Sequence, residues 1–513
     1  MTASDGRPGP VIAVVGAGIA GLAAAWELAT ASDLPPGSRR PTVVVLEADH
    51  RVGGKLAAAA FAGRTVDLAA DAFLARRPEA TELCEQLGIA DELVPVGTSG
   101  ASILARGRLR PMPAGLALGV PTRWWPLARS GLLGPVASLR AAKDLVAPHL
   151  STGAIGDRSV AAIVGDRLGR VVVERLVDPL IGGINAGGVD DLSAAATFPA
   201  LIAASHQAGS LMRALGRLPQ PDIDGPVFWS LRQGTASLVD RLVDRLTGPG
   251  SPAEVSIRAG VSVDAVDQVR ARVPGSPAEP PRWALTLSGN GASSVDGRTA
   301  SGRESVEEVM EVDGVVLAVP APRAAVLLAP LAPVAAGSLS TVDYASVTVV
   351  TLAVPTDAIG GALDGTGFLV PRTSRIDGRP PLMTGCTYLS RKWPHLAAAE
   401  DELIRVSVGR DGDERFLELD DDELTVAAFA ELARVLDING GPTEARVTRW
   451  PGAFPQYRVG HLVRVAKIEE AVSALPGVAV AGAAYRGVGI PACIGSGRDA
   501  AREVLSWLAA IVR

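Results

Sequence analysis

Cysteine is scarce in this chain. Cys84, Cys386 and Cys493 are the only cysteines among 513 residues, and they lie far apart without a CxxC motif or a Cys/His cluster. We therefore expect neither a disulfide framework nor a structural metal site. This cysteine usage is typical of the reducing cytoplasm.

Long apolar runs and an excess of positive charge are also missing. Pro, Gly, Arg or Glu interrupts every hydrophobic stretch before it reaches the roughly 20 residues of a membrane-spanning helix. The net charge of −6 provides no positive field that would attract nucleic acid. We expect a soluble, cytoplasmic protein with no nucleic-acid partner and at most peripheral membrane contact.

Several catalytic motifs are absent as well, since the chain has no HExxH, no P-loop and no recognisable Ser/His/Asp triad. The five histidines are scattered, and we expect them at the surface or in loops rather than as ligands: His50, His149, His206, His395 and His461. Because the chain offers few candidate catalytic acids and bases, we favour chemistry carried by a cofactor, in particular hydride transfer.

The strongest positive signal is the segment Val11–Ala48. A buried-strand pattern, Val11–Val15, leads into Gly16-Ala-Gly18-Ile-Ala-Gly21, and a second strand, Thr42–Leu46, ends at Glu47. This spacing is that of a dinucleotide-binding βαβ unit, in which the glycines allow the tight turn, the approach of the pyrophosphate and close packing of the helix. Glu47 is placed to bind a ribose hydroxyl. Together with Glu27, these features argue against a secretory signal peptide.

The far end of the chain carries a second glycine-rich passage from strand to helix. The strand in PGVAVAGAAY is followed by Gly487–Gly497, which we interpret as a turn, and by a helix over Gly497–Val512. Two such passages predict one long cofactor held at both ends, as FAD is, with the helix that follows Ser496 directed at the flavin. Cys493 would lie beside the flavin, but a small buried cysteine is ordinary packing, so we expect non-covalent FAD.

Length and pattern predict two or three domains. The predicted fold is of the α/β + β class. A discontinuous Rossmann-like FAD-binding domain comprises 1–80, 232–330 and 450–513, and an antiparallel-sheet substrate domain comprises 185–231 and 331–449. A helical insertion spans 95–184 and includes helices over Val136–Leu150 and Val171–Leu180. Its Trp124-Trp125 pair belongs to a small core or, alternatively, rests on a membrane surface. We expect an exposed loop at 289–308.

Three stretches resemble a known family: RWPGAFPQYRVGHLVRV, GVAVAGAAYRGVGIPACIGSGRDAA and DPLIGGINAGGVDDLS. Over essentially the whole chain the sequence is similar to the bacterial flavoprotein oxidases of porphyrinogens. More narrowly, it resembles the coproporphyrinogen III oxidases of Gram-positive and actinobacterial haem synthesis. This resemblance implies the GR2-type FAD-binding fold that is shared with amine oxidases and protoporphyrinogen oxidases.

The resemblance, together with the loop after Glu47 and the last strand, gives a set of FAD-binding positions. Where relatives have Gly-Pro-Asp-Ser this chain has Ala69-Ala70-Asp71-Ala72, and it has Ala492 where relatives have an acid, so backbone contacts are expected there. The set comprises Gly16, Ala17, Gly18, Ile19, Ala20, Gly21, Glu47, Ala48, Arg51, Gly54, Lys55, Ala69, Ala70, Asp71, Ala72, Val263, Trp450, Gly482, Val488, Gly489 and Ile490.

The implied reaction is a six-electron oxidation of coproporphyrinogen III in three hydride transfers, with O2 as acceptor and release of H2O2. The backbone carbonyl of Gly183 is the candidate for polarising the macrocycle, and no strong catalytic base is evident. We hypothesise that propionates of the substrate meet Arg76 or Arg77, because arginine binds carboxylates bidentately; both could equally be solvated turn residues. A transient contact with a ferrochelatase is a further expectation.

Three alternatives remain at this stage. Protoporphyrinogen IX oxidase would use the same chemistry. A flavin amine oxidase or a desaturase shares the fold, and Trp450 with Tyr485 leaves an aromatic frame around the flavin open. A pigment or lipid carrier without flavin chemistry is the non-enzymatic alternative.

Overall fold

A five-stranded parallel sheet forms the centre of the fold. The computed structural model describes residues 9–31, 40–146, 156–207, 209–218, 225–269, 281–289 and 308–512. The strands of this sheet lie in the order Val255–Ala259, Thr42–Glu47, Val11–Val15, Gly314–Leu317, Val478–Val480. The three inner strands are almost entirely buried, as in other parallel sheets, whereas the edge strand Val255–Ala259 is only partly covered. The predicted N-terminal βαβ unit is confirmed, and the last strand of the chain completes the same sheet.

Both faces of the parallel sheet are covered. On one face the helices Ile19–Thr30, Pro78–Leu87, Ala236–Thr247 and Ile490–Val512 form one apolar cluster. On the other face lie an antiparallel sheet of Val261–Val269, Arg282–Gly289 and Glu308–Val312 and the helices Ala321–Leu328, Pro333–Leu339 and His461–Ser473. This is the architecture that the N-terminal motif predicts for a dinucleotide-binding domain.

A second, seven-stranded sheet forms the other main layer. Its order is Glu444–Pro455, Tyr344–Pro355, Asp401–Val408, Met383–Tyr388, Gly367–Leu369, Ser102–Ala105, Arg108–Pro111. All its pairings are antiparallel except the one between Gly367–Leu369 and Ser102–Ala105. The helix Asp421–Leu436, which begins with a capping box of Asp420 and Glu423, covers one face of the sheet. The mixed α/β and β fold class is confirmed.

A helical layer packs beside this sheet around its own apolar cluster. It consists of Trp124–Arg129, Pro135–Ala142, Val160–Leu168, Arg170–Val172, a wide-turned π-helix Val173–Gly182, Gly183–Asn185, Ala194–Thr197, Pro199–Ser205 and Leu211–Arg217. The predicted helix Val136–Leu150 is wrong in length, because the helix ends at Ala142 and a 3₁₀ turn, Lys143–Leu145, follows. The last residues of that prediction, and most of the loop predicted at 289–308, lie outside the described residues.

Three groups of elements pair or pack across the domain boundaries that the sequence predicts. Ser102–Ala105 and Arg108–Pro111, predicted within the helical insertion, pair with the seven-stranded sheet. Helices up to Arg217, predicted in the substrate domain, pack in the helical cluster. The strand Glu444–Pro455 crosses the boundary predicted at 450. These boundaries depend on long-range pairing, which a local pattern does not contain.

Short elements complete the description. They are the hairpins Ala58–Phe61/Arg64–Asp67 and Leu116–Ala117/Val120–Pro121, the sheet of Phe73–Leu74, Phe228–Leu231 and Leu93–Pro95, the one-turn helix Leu389–Lys392, and 3₁₀ turns at Ala90–Glu92, Thr356–Ala358, Pro394–Leu396 and Arg415–Glu418. Among the described helices, none combines the length and the apolar character that crossing a bilayer requires.

The C-terminal helix begins at Ile490, so the prediction that it begins at Gly497 is wrong. Glycine density suggested a turn, but Gly497 is needed for a different reason. A Cβ at Gly497 would collide with the backbone carbonyl oxygen of Ala20, so the glycine allows the C-terminal helix to pack closely on the N-terminal helix. Val488 and Gly489 immediately precede the first residue of this helix, Ile490.

Candidate active site

The turn from Gly16 to Gly21 leaves an open space above the first helix. Gly16 has φ +101°, and a Cβ there would lie 2.6 Å from the carbonyl oxygen of Ala318, whereas a Cβ on Gly21 would collide with the carbonyl of Gly16. A Cβ on Gly18, by contrast, would have no atom within 4 Å. Gly16 and Gly21 are thus required by the protein's own packing, whereas Gly18 borders free space of the kind that a pyrophosphate fills.

The start of the helix Ile19–Thr30 is suited to an anion. Its N-cap residue, Gly18, has no side chain to accept from the first backbone N–H groups, and its first turn contains no acidic residue. These N–H groups and the positive end of the helix dipole favour a phosphate at this point. Ile19 and Ala20 belong to this turn.

Glu47 closes the end of the neighbouring strand. Its carboxylate accepts hydrogen bonds from the backbone N–H of Ala17 (2.7 Å) and of Asp49 (2.9 Å). In the loop that follows Ala48, Arg51 donates to the carbonyls of Val52, Leu56 and Gly54. Arg51 therefore shapes the loop that faces the glycine turn.

Two further predicted positions lie on neighbouring strands and turns. Val263 is buried, and its carbonyl accepts from the Arg323 guanidinium, so that carbonyl already has a partner. Gly482 has φ +121°, donates its N–H to Ser496 Oγ (3.0 Å), and borders space in which a Cβ would have no atom within 4 Å.

A cavity of about 460 Å³ lies between the start of the C-terminal helix and the seven-stranded sheet. Val488, Gly489 and Ile490 line one end, together with Ile19 and Lys55 of the N-terminal unit and the Ala69–Ala72 segment. Strands and loops of the seven-stranded sheet and the helix ends around Gly183 line the rest. The cavity therefore lies between the parallel-sheet half of the protein and the seven-stranded sheet.

Gly183 borders the cavity at the end of the π-helix. Its φ of −62° is ordinary for any residue, and a Cβ there would meet only Leu369 Cδ2, at 4.0 Å. Gly182, in contrast, would place a Cβ 2.7 Å from the carbonyl oxygen of Gly187. Gly182 is required by the backbone, whereas a side chain at Gly183 would enter the space that a ligand needs.

Asp71 fixes the Ala69–Ala72 segment to the seven-stranded sheet. Its carboxylate accepts from Lys392 Nζ at 3.0 and 3.1 Å and from the indole N–H of Trp393 at 3.0 Å, and Arg405 Nη1 lies 3.8 Å away. Burial alone would raise the pKa of Asp71, but the Lys392 and Arg405 cations and these hydrogen bonds hold it at about 2. Arg405 also donates to the carbonyls of Asp67 and Ala69.

The pKa of Asp67 is shifted upwards, in the opposite direction to that of Asp71. Burial, with the nearby Asp71 carboxylate, raises the pKa of Asp67 to about 6, although hydrogen bonds from Thr235 and the charge of Arg405 oppose the shift. Its oxygens accept from the backbone N–H and the hydroxyl of Thr235, both at 3.1 Å, at the start of the helix Ala236–Thr247.

Lys55 and Cys493 face each other at the helix end of the cavity. Desolvation lowers the pKa of Lys55, and burial raises the pKa of Cys493 to about 11 despite the lysine charge. Cys493 is thus a neutral thiol near neutral pH, which makes it a poor nucleophile.

Three arginines border or approach the other side of the cavity. Arg405 is engaged with the 67–71 loop. Arg372 lies with Nε 3.5 Å from the carboxylate of Asp178 and donates to the carbonyls of Gly187 (3.1 Å) and Asp411 (3.2 Å). Arg410 lines the cavity, and its buried Nε has no hydrogen-bond partner among the described residues.

The segment Trp450–Tyr457 connects the two halves of the site. A bulge opposite Ala345–Val347 precedes its end, and Trp450 donates its indole N–H to the carbonyl of Leu68 at 3.1 Å. Gln456 Nε2 donates to the carbonyl of Asn185 at 3.0 Å. The Tyr457 hydroxyl donates to the carbonyl of Ala483 at 2.6 Å and accepts from the N–H of Gly487 at 2.8 Å. The segment thus links the cavity wall to the turn before the C-terminal helix.

One prediction about histidine is wrong. His461 is fully buried at the start of a helix, stacked on Tyr457 with ring centroids 3.8 Å apart and with Nε2 2.7 Å from the carbonyl oxygen of Tyr485. Desolvation lowers its pKa. It supports the turn rather than lying at the surface.

Comparison with known proteins identifies the family. The family described as flavin containing amine oxidoreductase matches residues 19–505. The chain belongs to this family. It is 34% identical to a coproporphyrinogen III oxidase of Propionibacterium freudenreichii subsp. freudenreichii, with 96% of this chain and 90% of that protein covered. It is 31% identical to the coproporphyrinogen III oxidase of Bacillus subtilis (strain 168), with 98% and 99% covered.

A solved structure agrees with this assignment. A crystal structure from Exiguobacterium sp. 255-15, provisionally named a protoporphyrinogen oxidase, superposes with a TM-score of 0.80 at 29% identity and covers 98% of this chain and all of that one. As a flavin-containing amine oxidoreductase, the chain is a flavin-dependent oxidoreductase, and within the family it groups with the coproporphyrinogen III oxidases.

Part of the predicted FAD-binding set meets at the cavity. The rest lies outside the cavity lining, mainly at the glycine turn and in the loop after Glu47. Ile19, Lys55, Ala69–Ala72, Gly183, Trp450, Val488, Gly489 and Ile490 line the cavity. Arg76 and Arg77 do not line it. Arg77 forms a 2.6 Å ion pair with Glu79 and borders a separate groove beside the C-terminal helix.

Three charged residues in or near the cavity were not predicted from the sequence: Arg405, Arg410 and Lys392. Arg405 and Arg410 lie in or just after DELIRVSV, where a charged residue inside an apolar strand was a usable signal. Lys392 carries no local signal, because its partner Asp71 is 321 positions away.

Proposed function

We propose that this flavoprotein oxidises coproporphyrinogen III to coproporphyrin III with non-covalently bound FAD, O2 as acceptor and H2O2 as by-product, in the cytoplasm. The observation that supports this most is the cavity, which extends from the start of the C-terminal helix to a side lined by Arg405 and Arg410. A second support is that the chain aligns over nearly its whole length with relatives named coproporphyrinogen III oxidase.

The residues present fit FAD along a single path. The free space at Gly18 and the uncapped helix behind it suit the pyrophosphate, and Glu47 stands where the adenosine ribose would lie. Lys55, Trp450 and the Val488–Ile490 helix start would border the isoalloxazine. The positive end of that helix favours negative charge on the ring.

The chemistry that FAD supplies when bound is hydride acceptance, two electrons at a time. The chain's own residues position and enclose the substrate. The carbonyl of Gly183, at the end of the π-helix, would face the macrocycle, and the aliphatic residues Val347, Val349 and Val370 line an apolar wall of the cavity. Each of three successive oxidations would use this one arrangement.

A decisive experiment uses the purified holoprotein under anaerobic conditions. Coproporphyrinogen III should bleach the flavin absorbance, admission of O2 should restore it, and three H2O2 should form for each porphyrin. A colourless protein, or a yellow one that stays oxidised with this substrate, would contradict the proposal. Measurement of flavin release and cell fractionation test the non-covalent cofactor and the cytoplasmic location.

Protoporphyrinogen IX oxidation is the second candidate, since the solved relative from Exiguobacterium carries that name. Turnover of both porphyrinogens by the same preparation decides between them through the ratio of kcat/KM values. Amine oxidation has less support, because Tyr485 borders the groove beside the C-terminal helix and is absent from the cavity lining, so Trp450 and Tyr485 do not frame the flavin together. A transient contact with a ferrochelatase, testable by cross-linking, would give the product a direct route onward.

A further inference from the structure

Arg410 is a cation at the cavity that has no carboxylate within ion-pair distance among the described residues. Its side chain forms no hydrogen bond or ion pair among the described residues, and its Nε is buried without a partner. Burial, with the charge of Arg372, lowers the pKa of Arg410 to about 10, although Asp178 and Asp413 oppose the shift. A charge held in this way is costly unless a ligand supplies the missing partner.

The anions around Arg410 are already engaged elsewhere. Asp413 pairs with Arg415 at 2.8 Å, and Asp411 pairs with Arg458 at 3.2 Å. Asp178 lies 3.5 Å from Arg372 and also accepts from the N–H of Val189 at 3.2 Å. Each of these carboxylates therefore already has a partner other than Arg410.

The position of Arg410 separates it from the flavin end. Arg405 lies on the strand Asp401–Val408 and is bound to the 67–71 loop, which borders the expected isoalloxazine. From Arg405 to Val408 the strand advances about 10 Å, and Gly409, with φ +89°, then turns the chain into Arg410. A group bound by Arg410 is therefore at the periphery of a large flat substrate rather than at its reacting carbon.

We propose that Arg410 binds a propionate carboxylate of the porphyrinogen and is a principal determinant of substrate affinity, in place of the Arg76 or Arg77 expected from sequence. Guanidinium and carboxylate match in bidentate geometry, and enclosure strengthens the pair. This inference rests on the proposed function, since it takes a carboxylated tetrapyrrole as the ligand. Arg405 and Arg372 are less suitable because the terminal nitrogens of Arg405 already donate to the backbone, and Arg372 already donates to the backbone and faces Asp178.

The test compares Arg410→Gln and Arg410→Lys with Arg434→Gln, a control in which an exposed arginine paired only with the surface residue Asp377 is changed. Binding of coproporphyrin III to each holoprotein is titrated by fluorescence, and its tetramethyl ester, delivered in the same non-ionic detergent, serves as the uncharged ligand. Flavin content and thermal unfolding establish that each variant is folded.

We expect Arg410→Gln to weaken binding of coproporphyrin III by about 10- to 100-fold, with KM rising similarly and kcat changing little. Arg410→Lys should recover part of the affinity, Arg434→Gln should match the parent protein, and the ester should bind parent and Arg410→Gln equally. Unchanged affinity in a folded Arg410→Gln protein would overturn the inference while leaving the proposed function intact. Failure of the parent protein to oxidise coproporphyrinogen III would instead remove the proposed function itself.

Discussion

The hydroxyl of Tyr457 accepts a 2.8 Å hydrogen bond from the backbone N–H of Gly487 and donates a 2.6 Å hydrogen bond to the carbonyl of Ala483. A residue of the seven-stranded layer's last loop thereby fixes the turn that precedes the C-terminal helix. Because this turn borders the expected flavin, a single side chain links the seven-stranded layer to the proposed cofactor site.

Tyr457→Phe should loosen flavin binding. Loss of the hydroxyl leaves the Gly487 N–H and the Ala483 carbonyl without their partner, at a cost of about 1–3 kcal/mol. We expect the flavin Kd, measured by fluorescence recovery on dilution, to rise by about 5- to 100-fold. Tyr485→Phe is the matched control, since its buried hydroxyl has no hydrogen-bond partner among the described residues and its loss should be neutral. Equal behaviour of the two variants would refute the role of Tyr457.

Asp71→Asn should destabilise the protein strongly. It removes the counter-ion of Lys392 and Arg405, and loss of one member of a buried ion cluster costs about 3–5 kcal/mol. Urea unfolding of the holoprotein measures this loss, and flavin content should fall because the Ala69–Ala72 segment is released. Asp377→Asn, at an exposed ion pair, should change stability by less than about 1 kcal/mol. A stable, flavin-replete Asp71→Asn protein would contradict this account.

The raised pKa of Asp67 predicts a pH dependence of stability. The folded protein holds the proton up to about pH 6, whereas an unfolded aspartate, with an ordinary pKa of 3.8, releases it earlier. Stability from this group is therefore full below about pH 4, falls as the pH rises towards 6 and is constant above. Two pKa units correspond to at most about 3 kcal/mol.

Asp67→Asn removes this titration while keeping an acceptor for Thr235. Chemical denaturation at pH 4, 5, 6 and 7 should show the parent protein losing stability relative to the variant over this range. Parallel profiles for the two proteins would show that Asp67 titrates normally.

Cys493→Ala should leave the flavin in place. Since the pKa of Cys493 is raised to about 11, the thiol is neutral and a thioether to the flavin is not favoured. Acid precipitation should release all flavin from the parent protein, and the variant should bind a full complement of flavin. Flavin that stays with the precipitated parent protein but not with the variant would demonstrate a covalent bond.

Local patterns were sufficient for part of this site. The glycine turn and Glu47 can be predicted because strand, turn and helix are contiguous in the sequence. Gly16 and Gly21 are required by close backbone contacts, and Gly18 leaves free space. The first and second strands can be predicted for the same reason.

Other features depend on contacts that no local pattern encodes. The glycines at 495 and 497 have the composition of a turn, but Gly497 serves helix packing against Ala20, which only the folded chain shows. The ionic cluster of Asp71, Lys392 and Arg405 joins three distant segments. Arg76 and Arg77 were hypothesised to bind propionates because arginine pairs with carboxylates, with a solvated turn as the equal alternative, yet Arg77 pairs with Glu79.

The close packing of Gly497 on Ala20 also governs when the enzyme can acquire its cofactor. The glycine turn is synthesised well before the helix that would complete the flavin site. At about 5–20 residues per second, translation separates the two by roughly 20–100 s. During this interval the nascent chain holds an unfinished pocket, so we expect chains arrested before Ile490 to remain apoprotein.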